Sequence, residues 1–388
     1  MNRDVLLVSF SAFFADLGYQ TAVAVFPVFL VLVLGAPSYE YGIASAVAYG
    51  IGSFFGYLGG VLSDRFSDKK IAILGNALIP LISLMALTTN IVYAVLLFSG
   101  GWWARNFRTP SRRTILVEAS TAADRGKVFG FLRALDVGGG MISIIALVVL
   151  VLFGYALWFI LLFTVVPLVV STVLLFPTSE GKRRENAGVA KAGPSPAPHR
   201  IAGRTYRGII IATALYGFSS YSLGFPILTI AQTSTKVAGF GSYAVFLGVS
   251  AAAGYYIGSR RWDQIKTLSV AGYLLSGVGT FFLGLGYLLG LALIWSYLAV
   301  AVLGFGLGAI ETLEPTIISF VKAEGSLGEG MGALAASRSF GIFFANLIMG
   351  LLYIISPSVS YFYAAAVSVL AGFVVLYYGR GFNPGESR

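Results

Sequence analysis

Long apolar runs, broken by short polar stretches that carry glycine and proline, recur along the whole chain. Breaking the pattern at those turn residues predicts helices at residues 5–35, 39–63, 70–88, 91–118, 127–152 and 156–176. A second set is predicted at 208–232, 242–259, 267–288, 293–320, 330–354 and 359–378. A hydrocarbon core of about 30 Å takes roughly 20 helical residues to cross, and most of these runs reach that length. Strands of a membrane barrel would give alternating segments of only about ten residues, so the pattern favours helices. The run beginning at Val5 is longer than a signal-peptide core and lacks a small-residue cleavage site, which predicts a retained helix. The expected fold is an all-α membrane protein of twelve transmembrane helices in two six-helix bundles.

Between the two sets runs PTSEGKRRENAGVAKAGPSPAPHRIAGRTYRG, rich in Pro, Gly, Ala and charge and without apolar periodicity. It reads as a solvated linker. The expected organisation is a first bundle over 1–176, a cytoplasmic linker over 177–207 and a second bundle over 208–388. The halves also resemble each other at a nearly constant offset. Pro27 matches Pro226, Gly60 matches Gly258, Pro110 matches Pro315 and Gly126 matches Gly330, in order and at offsets of 198 to 205. Six helices per half make both copies enter from the same side, the parallel repeat expected of two bundles rocking about a central site.

Composition sharpens this picture. The chain is 57% hydrophobic and 11% charged, with a mean hydropathy of +0.85, values a water-soluble protein of 388 residues could hardly keep in solution. A net charge of +10 would suggest nucleic acid in a soluble protein; here it follows topology. With the N-terminus inside, 19 of the 26 Lys and Arg fall in segments on that side, and Lys236 alone falls in the outer loops. Both termini are therefore expected in the cytoplasm, with the chain a multi-pass monomer of the cell membrane. There is no cysteine, and the single histidine, His199, lies in the polar linker, so neither thiolate chemistry nor a histidine metal site is expected. No phosphate-cradling loop of the G-x-x-x-x-G-K-S/T type occurs, which leaves ATP hydrolysis unsupported as an engine.

The loop between the second and third helices reads GVLSDRFSDKK, with Gly60, Asp64, Arg65, Lys69 and Lys70. It resembles the G-x-x-x-D-R-x-G-R-K/R-K/R signature of the major facilitator superfamily, with Ser67 at the usual Gly and Asp68 at the usual Arg. Helix count, linker, duplication and loop position extend the resemblance to the whole chain. It implies a transporter fold in which this loop gates the cytoplasmic side. On physical grounds Gly60 allows close helix approach, Asp64 can accept from a helix N-terminus, and the basic residues can pair with acids or carbonyls. The same basic residues also serve as topology signals, and both uses stay open.

The fourth predicted helix carries Arg105, Arg108, Arg112 and Arg113. An Arg at a helix centre costs about 2.5–3.5 kcal/mol to insert, so this helix needs partners or water. Arg105, Arg108 and Arg112 are spaced i, i+3, i+7 and share a face, expected to look into the bundle. The candidate partners are Asp16 on the first helix, Glu118 at the end of the fourth, Arg133 and Asp136 on the fifth, Glu311 and Glu314 on the tenth and Arg338 on the eleventh. Ion pairs Arg133–Asp136 and Arg112–Glu118 are one structural reading, and Arg338 neutralising Glu311 or Glu314 is another. Asp16 stands out, because a lone carboxylate at mid-depth needs either a cationic partner or a proton, and the second suits a proton carrier. Tyr19, Gln20, Tyr216, Ser219 and Tyr221 are candidate hydrogen-bonding neighbours. The run FRTPSRRTILVEASTAADRGKVFGFLRALD resembles one found in a group of bacterial and archaeal facilitators, and Arg105 to Arg108 is similar to the R-x-x-Q/R pattern that proton-linked members carry. Members of that group often have a second acid shortly after the first-helix aspartate, where this chain has Gln20.

These residues point to a secondary active transporter, not an enzyme and without cofactor, that moves a small organic anion, zwitterion or drug by alternating access with proton coupling. An uncoupled facilitator and a cation exporter using the acidic residues are the alternatives. The expected partners are the solute, protons and the lipid bilayer, with no nucleic acid.

Overall fold

The computed structural model of the chain describes residues 2–120, 125–179, 199–260, 263–321 and 327–381. Among them every regular element is helical. The helices are α1 (Arg3–Val33), α2 (Ser38–Arg65), α3 (Asp68–Leu87), α4 (Ile91–Glu118), α5 (Arg125–Leu152) and α6 (Leu157–Val173). They continue as α7 (His199–Ser219 and Gly224–Thr233), α8 (Lys236–Gly258), α9 (Gln264–Leu288), α10 (Leu293–Val321), α11 (Leu327–Ile355) and α12 (Pro357–Tyr378). Among the described residues ten stretches are long and apolar enough to cross a membrane; α4 falls outside that set through its polar half and α6 through its length. The twelve-helix expectation therefore holds.

Local chemistry sets several helix ends. Asn2 caps α1 by accepting the Asp4 N–H, and Asn90 caps α4 by accepting from Val92 and Tyr93. Within α1, Pro27 removes one backbone donor, the helix widens to π geometry over Phe29–Val33, and the chain leaves through Gly35 at φ +75°. Ser67 and Asp68, the two departures from the family signature, have local jobs. The Ser67 side chain accepts the Lys70 N–H as the N-cap of α3, and Asp68 puts a negative charge in its first turn.

Two starts differ from the sequence reading. α7 begins at His199 instead of 208, and α8 at Lys236 instead of 242. At α7 hydropathy marks only the apolar part of the helix, and residues such as Arg204 and Arg207 are good helix formers that carry it on; at α8 the missed turns, KVAGFG, carry two glycines that read as a break. Arg204 also ties this extension to the end of α12, donating to the carbonyls of Tyr378 and Arg380. Residues 180–198, most of the predicted linker, lie outside the described residues.

The chain divides into two compact units. One comprises Met1–Glu185 with Ile227–Ala244, the other Asn186–Pro226 with Val245–Arg388. In the first, α1 packs on α5 and α6, and α4 packs on α2 and α3. In the second, α7 packs on α11 and α12, and α10 packs on α9 and closely approaches α8. The pairing scheme is the same in both, which is what a duplicated six-helix unit requires.

Small residues and hydroxyls hold the pairs together, as expected where lipid removes the hydrophobic drive between helices. Ser11 bonds Ser171 between α1 and α6, Thr21 bonds Ser143 between α1 and α5, and Ser368 donates to the Tyr273 carbonyl between α12 and α9. The close approach expected at Gly60 occurs one residue earlier. A Cβ at Gly60 would meet Pro110 at an ordinary 3.7 Å, whereas one at Gly59 would overlap the Phe107 carbonyl of α4. Gly59→Ala is therefore expected to lower thermal stability in detergent by about 1–3 kcal/mol, with Gly60→Ala nearly neutral. Equal effects of the two would remove Gly59 as the α2–α4 contact.

Candidate functional site

The charged residues of the first unit converge from α1, α4 and α5. Asp16 is 6% exposed on α1. Its Oδ1 accepts from the Tyr19 hydroxyl at 2.5 Å and from Gln20 Nε2 at 3.3 Å, one turn along the same helix. Gln20 Oε1 in turn accepts from the Tyr243 hydroxyl of α8 at 2.8 Å. Arg105 reaches the same group indirectly, its Nη2 donating to the Tyr19 hydroxyl at 3.2 Å. Its guanidinium lies 5.2 Å from the Tyr19 ring centre and 4.9 Å from that of Trp102. Aromatic faces stabilise a partly desolvated cation, so Arg105 is held by π contact, the Tyr19 hydroxyl and Asn106 Oδ1, which accepts from its Nη1 at 3.2 Å. Asp16 has Asp136, Arg105 and Arg112 as charged neighbours.

Arg108 is 2% exposed and donates to Asn76 Oδ1 on α3. The amide of Asn76 continues to Ser171 Oγ and Thr172 Oγ1 of α6, both at 2.9 Å. This polar thread ties α3, α4 and α6 together. Asn76 is 1% exposed, and replacing it with Leu leaves Arg108 buried without this acceptor. A lost hydrogen bond to a buried charge costs about 3 kcal/mol, so Asn76→Leu is expected to unfold at clearly lower temperature. An unchanged melting curve would mean that Arg108 is satisfied elsewhere.

Arg112 pairs with Asp136 of α5, with Nη2 to Oδ2 at 3.6 Å. Asp136, 24 positions further along the chain, is thus an ion-pair partner that the sequence reading did not name for Arg112. Glu118, Arg133 and Glu311 have interaction partners of their own. In the second unit Glu314 is fully buried. Its Oε2 receives Arg338 of α11 and its Oε1 receives the Tyr273 hydroxyl of α9 at 2.5 Å. Arg338 thus neutralises Glu314, one of the two options open in the sequence. Tyr216 packs on the Tyr273 ring, and Tyr221 bonds Thr280 Oγ1 at 3.2 Å.

The two ion pairs occupy equivalent places. Glu314 and Arg338 each stand 202 positions after Arg112 and Asp136, with the signs exchanged between the helices. The duplicated unit therefore keeps an α4–α5 type charge pair in both copies, close to the helix-internal Pro110 and Pro315.

The signature loop is less gathered. Arg65 ends α2 and is exposed, as is Lys70, and Lys69 is half-buried at the start of α3. The side chain of Asp64 lies outside the described residues. Sequence reasoning missed Asn76, Tyr243 and Tyr273; the amide in an otherwise apolar helix was a visible signal for the first, while nothing singled out the tyrosines. It also missed the break of α7 at residues 220–223, where the Ser222 N–H is received by Asn346 Oδ1 of α11 at 2.9 Å. That break lies beside Ser219 and Tyr221. Among the described residues no group of three or more His, Asp or Glu is placed to hold a metal ion.

Comparison with known proteins adds the family. A profile of the Major Facilitator Superfamily matches residues 8–346. A relative described as an uncharacterized MFS-type transporter of Methanocaldococcus jannaschii is 22% identical over 391 residues, covering 97% of this chain and 95% of the relative. A POT family transporter, solved in complex with a thioalcohol-conjugated peptide, superposes with a TM-score of 0.78 at 12% identity, covering 97% of this chain and 96% of that one. A D-xylose-proton symporter superposes with a TM-score of 0.77 at 14% identity over 100% of this chain and 99% of its own.

Proposed function

The chain belongs to the Major Facilitator Superfamily, and from that premise we propose that it is a secondary active transporter, coupled to protons, for a small organic anion, zwitterion or drug. Transport runs by alternating access. The observation that carries the reading is the set Asp16–Tyr19–Gln20–Arg105, with Asp16 and Tyr19 buried, in which a carboxylate has hydroxyl and amide partners on its own helix and a guanidinium one hydroxyl away. A carboxylate held by neutral donors, with cations near but not in direct contact, can take up and release a proton without breaking a salt bridge. Arg108, Arg112, Arg133 and Asp136 of the first unit and Glu311 of the second are the further charges from which solute and coupling contacts are drawn, while Glu314 and Arg338 are occupied with each other. The proton symporter of similar fold gives precedent for the ion. Gly60, Asp64, Arg65, Lys69 and Lys70 gate one side of the membrane in this reading. The Lys and Arg bias sets both termini in the cytoplasm, with the protein a monomer in the cell membrane.

The test uses purified protein in proteoliposomes with a pH gradient imposed across them. Solutes that stabilise the protein in detergent are offered at equal concentration on both sides. Accumulation beyond equilibration, abolished by a protonophore, is the expected result. Equilibration that ignores the pH gradient would make the protein an uncoupled facilitator, and accumulation of organic cations alone would make it a cation exporter.

A further inference from the structure

Arg108 and Arg112 stand one turn apart on one face of α4 and are 2% and 8% exposed. Charged N–H groups taken out of water need acceptors, and each one left without an acceptor is costly. Here several are left. Arg108 Nε and both Nε and Nη1 of Arg112 are buried with no hydrogen-bond acceptor, and Asp136 Oδ1 is buried with no donor. The Arg112–Asp136 approach of 3.6 Å is an ion pair but too long for a hydrogen bond. Among Arg105, Arg108, Arg112, Asp16 and Asp136 the charges sum to one excess positive.

The equivalent pair of the second unit is closed by comparison. Both carboxylate oxygens of Glu314 are occupied, by Tyr273 and by Arg338, and only Nε of Arg338 lacks an acceptor. The copies thus differ in what is left over: the second keeps one unused guanidinium donor, Arg338 Nε, whereas the first keeps two on Arg112 and a third on the neighbouring Arg108.

We propose that Arg108 and Arg112 receive an oxyanion group of the transported solute, a carboxylate or a phosphate, while Glu314, Arg338 and Tyr273 form a structural clasp. This rests on the transporter reading above and assigns the substrate class to it. Guanidinium forks match two-oxygen groups, and two forks one turn apart present donors to both oxygens at once. Asp136 then acts as a resident competitor that holds Arg112 loosely until the solute arrives. Access to groups this buried requires a shift of the neighbouring helices, which a transport cycle supplies.

Thermal unfolding of the full chain in detergent tests this, with a panel of carboxylates, phosphate monoesters and amino acids against quaternary ammonium ions and neutral polyols. Stabilisation by members of the oxyanion set is expected, weakened at least about tenfold in apparent affinity by Arg108→Gln or Arg112→Gln, the scale of one lost charge-assisted contact. It should persist when Glu314 and Arg338 are both changed to Leu. If the arginine variants do not fold, Asp136→Asn decides: removal of the competitor should strengthen oxyanion binding, whereas weaker or absent binding would make Arg112–Asp136 a brace and overturn the proposal. Stabilisation by quaternary ammonium ions or polyols only, or by nothing in the panel, also overturns it. Oxyanion binding without any driven uptake would retain this site and remove the proton-coupled reading instead.

Discussion

Asp16→Asn is expected to abolish proton-driven accumulation while leaving solute binding and exchange intact. The amide keeps the shape of the carboxyl group, and its Oδ1 still accepts from the Tyr19 hydroxyl and Gln20 Nε2, so the α1 geometry survives. What it loses is the ability to bind and release a proton. With one proton per solute, a gradient of one pH unit supports about 1.4 kcal/mol of work, or about tenfold accumulation, and the variant should show none of it. Counterflow of labelled against unlabelled solute needs no net proton movement and should continue. A variant that loses counterflow as well would place Asp16 in the solute site or in the packing of α1; one that still accumulates tenfold would remove it from coupling altogether.

Arg338→Leu is expected to be among the most destabilising single changes in the second unit. Glu314 is fully buried, and the variant leaves its carboxylate with the Tyr273 hydroxyl alone. Removing one partner of a buried ion pair typically costs about 3–5 kcal/mol, a large part of a membrane bundle's margin. The double change Glu314→Leu with Arg338→Leu removes both charges and should recover most of that loss, because a well-packed apolar pair at such a position is often neutral or better. Thermal unfolding in detergent reads both variants. A double variant as unstable as the single one would mean that the charges do something other than clasp α10 to α11.

The helices were legible in the sequence because a membrane helix must bury its backbone polar groups within itself and present apolar side chains to lipid, which leaves long uninterrupted runs. The duplication was legible for a related reason: Pro110 and Pro315 punctuate α4 and α10 at corresponding places. The start of α7 at His199 lies in polar sequence and that of α8 at Lys236 in a stretch with two glycines, and neither carried such a mark. In the site, the sequence brought Asp16, Tyr19, Gln20, Arg105 and Arg108 forward because polar side chains are conspicuous in an apolar chain. It did not reveal who pairs with whom. Asp136 stands 24 positions from Arg112 along the chain and becomes its ion-pair partner only through the packing of α4 against α5. Tyr243 and Tyr273 were hidden among many tyrosines, since a hydroxyl is revealed as a partner only by what lies within its reach.

The most direct test of proton coupling follows protons rather than solute. Unbuffered proteoliposomes with no imposed pH gradient receive the best-stabilising solute on one side, while external pH and solute entry are recorded together. A pH change that tracks solute movement, vanishes with a protonophore and is missing in Asp16→Asn is the predicted result. Solute entry at full rate with no pH change in the unaltered protein would contradict proton coupling and leave a facilitator.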